Sequence, residues 1–125
     1  MADQMTTDVR TLMDRDPFDA STVADIREAL SRDPSRYRTL RDAVATILER
    51  EKGQLKPLSY LKLGVASVLM GRYQTGLEYL SKVRDQGMGQ FYMGLAYSCT
   101  QRWADAARMF EEAAKSKYEP YLSES

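Results

Sequence analysis

The chain echoes itself at a fixed distance. Gly64, Tyr73, Gly76, Leu80 and Val83 return thirty residues later as Gly94, Trp103, Ala106, Phe110 and Ala113. The glycines are answered by small residues, and Tyr73 and Leu80 by large apolar ones. A period of this size constrains the fold sharply. Each repeat is one supersecondary unit that cannot bury its apolar face alone and must stack on a neighbour. Stacked helical hairpins meet that demand, and they present extended surfaces suited to binding other proteins.

Periodicity inside each copy is helical. Pro57 opens the repeat region. The first hairpin is expected to pair a helix over Pro57–Met70 with one over Tyr73–Asp85, with Gly71 at the turn. The second pairs Met88–Thr100 with Trp103–Lys117, and Gly87 and Gly89 read as the turn between hairpins. No alternating apolar–polar run of useful length is present, so no sheet is expected.

The N-terminal half also reads as helix. Val9, Leu12 and Met13 line one face of a short first helix, which Asp16-Pro17 interrupts, because proline disfavours helix in the residue before it. Ser21 or Thr22 is the expected cap of the next helix, and Val23, Ile26, Ala29 and Leu30 its buried face. Asp33 caps again, with Pro34 at the first helical position. Tyr37, Leu40, Val44, Ile47 and Leu48 then form a stripe opposite Arg38, Asp42 and Glu49, and Gly53 closes that helix.

Charge and composition exclude several function classes. Lys and Arg total 18 and Asp and Glu total 18. Residues 1–56 carry 10 basic and 11 acidic groups, leaving 8 and 7 for the rest. Neither half can neutralise many phosphates, so no nucleic-acid partner is expected. There is no histidine, which removes the commonest general base and metal ligand. Cys99 cannot form an internal disulfide and is expected to be a buried structural thiol. Adjacent Glu111 and Glu112 do not share a helix face and read as solvated surface. Tyr118 and Tyr121 read as packing residues. No phosphate-cradling loop or metal-ligand spacing is found, so no enzyme activity, cofactor or metal is expected. The apolar stretch Leu63–Met70 is too short to span a bilayer, and the polar N-terminus lacks a signal sequence, so the expectation is a cytoplasmic protein without membrane insertion.

At the repeat the residues resemble the tetratricopeptide repeat (TPR) family. The first copy reads Tyr60-x2-Leu63-Gly64, then Gly76-x3-Leu80. The second reads Met93-Gly94-x2-Tyr97, then Ala106-x3-Phe110, with Ala113 one turn on. The period is shorter than the family's, which is about 34 residues. Ser67 stands where the pattern has Tyr, and Gln90 where it has a large apolar residue. The closing Pro is absent from the first copy, and Pro120 comes late in the second. In the reading this implies, Gly64 and Gly94 permit close helix approach, and Leu80 and Phe110 fill space toward the next hairpin. Tyr73 and Trp103 anchor the second helices.

The resemblance implies a concave groove lined by the first helices of the hairpins. Position by position, that groove comprises Leu58, Leu61, Val65 and Val68 from the first copy. Met88, Phe91, Leu95 and Ser98 come from the second. Family members that grip a partner's C-terminal carboxylate use Lys and Asn, but Leu61 and Val65 stand where such a clamp would begin. The groove is apolar instead. It is either covered by the N-terminal helices as core, open to an apolar strand or amphipathic helix, or used for self-association.

The expected fold is therefore all-α, with antiparallel hairpins stacked as a TPR-like right-handed superhelix. Residues 1–56 supply N-terminal helices that pack on the array. Residues 57–125 hold two repeats, 57–86 and 87–120, with the start of a further repeat at the C-terminal end. The expected function is a non-catalytic scaffold or adaptor that takes a protein or peptide with an apolar segment. The alternative is a small dedicated chaperone of an apolar export or assembly partner. The uncapped last hairpin also suits a homo-oligomer.

Overall fold

A computed structural model describes residues 8–118. Among these residues the chain forms seven α-helices, one short 3-10 turn and no strands. The all-helical expectation holds. The readings that fall on Pro120, Tyr121 and Leu122 lie outside the described residues. The chain divides after Gln54 into two compact units.

The first unit contains α1 (Val9–Met13), α2 (Ala20–Arg32) and α3 (Arg36–Arg50). Although short, α1 packs on both longer helices. Val9, Leu12 and Met13 are each 1% exposed, so tertiary burial sustains a helix too short to persist alone. Phe18, absent from the helical stripes, is also buried. The cap of α2 is Asp19, not Ser21 or Thr22. Its carboxylate accepts from the Thr22 backbone N–H and hydroxyl, both at 3.0 Å. Thr22 itself is buried. Those hydrogen bonds, the backbone one foremost, hold the Asp19 pKa below its ordinary value.

Asp33 accepts from both the N–H and the hydroxyl of Ser35. That turn consumes Pro34, so α3 begins at Arg36 rather than at the proline. The buried stripe of α3 is Leu40, Ala43, Val44 and Ile47. Tyr37 and Leu48, expected in it, are 42% and 37% exposed. They sit at the margins of the apolar arc, where the helix rotates out of contact. The helix ends at Arg50, and Gly53 (φ 95°) lies beyond it.

The second unit contains two hairpins of closely matched construction. In the first, α4 (Pro57–Leu69) packs on α5 (Tyr73–Leu80), which continues as a 3-10 turn over Ser81–Val83. In the second, α6 (Gly87–Cys99) packs on α7 (Trp103–Lys115). The interhelix turns match in their backbone hydrogen bonds at an offset of thirty residues. Arg72 N donates to Ser67 O and Arg102 N to Tyr97 O, both at 2.8 Å. Gly71 N donates to Val68 O, and Gln101 N to Ser98 O. Both turns place one residue in the left-handed region, Gly71 at φ 82° and Gln101 at φ 64°.

Close backbone approach explains the small residues. A Cβ on Gly64 would collide with the Leu80 side chain, and one on Gly94 with the Phe110 ring at 2.6 Å. Leu80 and Phe110 therefore cover the glycine of their own hairpin, rather than reaching only toward the next. Gly87 and Gly89 are not a turn. They are the first and third residues of α6. A Cβ on Gly89 would stand 2.9 Å from the Val83 carbonyl oxygen, so glycine lets α6 start against the end of the first hairpin.

Candidate protein-binding surface

Two helices carry the eight residues expected to face a partner. Along α4, every residue from Leu61 to Val68 is buried, the charged Lys62 and the polar Ser67 among them. Its neighbours include both α5 and α6. Leu61, Val65 and Val68 are 4%, 0% and 6% exposed. Val68 is committed to its own hairpin, because its Cγ2 lies 2.7 Å from where a Gly76 Cβ would stand. Leu58, in the first turn of α4, remains half-buried.

On α6 the pattern loosens. Met88 is buried, whereas Phe91, Leu95 and Ser98 are half-buried. Phe91 is shared with the second helix of its hairpin. Its ring lies 5.5 Å from Phe110, 5.6 Å from Tyr118 and 5.1 Å from Tyr92. Such tilted and edge-on aromatic contacts stabilise the hairpin itself. The eight residues thus separate into a buried set, Leu61, Val65, Val68 and Met88, and a reachable set, Leu58, Phe91, Leu95 and Ser98.

Gln90, which replaces an expected apolar residue, is buried at 7% exposure with both ends of its amide engaged. Its Nε2 donates to the Arg84 carbonyl at 2.8 Å, and its Oε1 accepts from the Ser116 hydroxyl at 3.0 Å. One side chain thus ties the junction between hairpins to the end of α7. A buried amide is tolerated when its partners are present. The sequence signal was the polar residue itself at an interior position.

Two expectations fail at the ends of α6 and α7. Cys99 is exposed, not buried. It is the last residue of α6. Its influence on Tyr73 at the start of α5, through hydrogen bonding foremost, then charge, with some desolvation, raises the Tyr73 phenol above its ordinary pKa. Trp103 does not anchor α7 into the hairpin, for it is 65% exposed. The anchoring at that turn comes instead from Arg102, whose guanidinium stacks 4.7 Å over the Tyr97 ring and pairs with Asp105 at 2.8 Å.

Among the described residues, no group of three or more His, Cys, Asp or Glu side chains could hold a metal ion. Nor is any described helix long and apolar enough to cross a membrane. No protein-family model matches the chain, and neither a curated protein nor a solved structure matches it.

Proposed function

We propose that this chain is a non-catalytic protein-interaction module of TPR-like architecture, a scaffold or adaptor. Its two hairpins form the beginning of a right-handed superhelical stack. The observation that carries the reading is the thirty-residue echo in the backbone itself. The same turn hydrogen bonds and the same helix–glycine contact occur in both hairpins, and the first helices α4 and α6 pack against each other. Repetition of one supersecondary unit builds surface rather than a catalytic pocket.

The partner's apolar segment lies along α6, against Leu95 and Ser98, with Leu58 and Phe91 at the edges. Half-buried side chains of this kind offer contact area without requiring the core to open. The buried residues Leu61, Val65, Val68 and Met88 hold the helices in place beneath it.

Affinity capture from the native lysate with the intact chain and with Leu95→Glu tests the reading. The expected result is a reproducible set of bound proteins that the variant loses while its helical circular dichroism is unchanged. Identical capture by both proteins would refute a role for this face. Because Leu61 is fully packed, Leu61→Glu should unfold the second unit rather than act selectively, and it serves as the control for misfolding.

A further inference from the structure

We draw no further inference here: the strongest candidate, the surface patch of Trp103, Ala107 and Ala114 on α7, is an exposed apolar face, and nothing in the structure shows what covers it.

Discussion

The two hairpins share a design and differ in what surrounds it. Both use a thirteen-residue first helix, the same turn, and a glycine covered by a large side chain from the second helix. Yet Leu80 is 0% exposed, whereas Phe110 at the matching position is half-buried. Val65 is buried and its counterpart Leu95 is half-buried; Tyr73 is half-buried and Trp103 is exposed. The contacts inside a hairpin are therefore shared by both copies, and the contacts outside it differ between them.

The largest test of this comparison is truncation of the covering side chain. Leu80→Ala should cost about 3 kcal/mol, because a fully buried leucine leaves a cavity that its neighbours cannot close. Phe110→Ala should cost only about half of that, since part of the ring already faces solvent. Chemical denaturation of the two variants measures both. Equal losses would mean that the two sites are equally packed in solution and would break the contrast.

A methyl group on each glycine sharpens the same point. Gly64→Ala should destabilise by about 2 kcal/mol, because the buried Leu80 cannot move aside. At Gly94→Ala the Phe110 ring can swing outward. The gain in helix propensity, about 1 kcal/mol, then leaves thermal stability nearly unchanged.

At the left-handed position the two turns carry different residues, Gly71 and Gln101. Gly71→Ala should cost about 1 kcal/mol, because a side chain is strained at φ 82°. Gln101→Gly should raise stability by up to about 1 kcal/mol, relieving the same strain at φ 64°. Opposite signs in paired thermal melts are the expected result, and matching signs would show that the two turns are not equivalent.

The smallest effect is in pH. Folding raises the Tyr73 pKa through the influence of Cys99, hydrogen bonding foremost. A raised pKa means that the folded state favours the protonated phenol. The contribution is thus fully present at neutral pH and is lost as pH rises through and above the ordinary phenol value, about 10. Tyr73→Phe should flatten the alkaline limb of the melting-temperature profile. Trp103→Phe, at the same place in the second hairpin, should leave that limb unchanged.

Much of the architecture was legible in the residues. The helices α4 to α7 start and stop within a few residues of the places that Pro57, Gly71, Trp103 and the apolar spacing indicate. Their signals are local, residing in turn chemistry and in the small residues at contacts. Capping was read less well: the Asp19 carboxylate reaches Thr22 across three residues, and a propensity for Ser or Thr at the helix start does not reveal which oxygen wins. Burial was read least well. Cys99 and Trp103 look like core residues by type, but both stand at helix ends and are exposed. Of the eight surface candidates, Val68 was drawn toward Gly76 and Phe91 toward Phe110 and Tyr118. These choices depend on the rotation of one helix against another, which spacing alone does not specify.

By itself, the amino-acid order determined that the chain is helical, that residues 57–118 repeat with a period of thirty, and where the close helix contacts fall. Those properties follow from nearest-neighbour geometry: turn dihedrals, missing side chains and apolar periodicity. Only the tertiary structure decided which copy of each repeated position is buried and which is open. Burial is a sum over everything that packs around a residue, so two hairpins of matched construction present different surfaces.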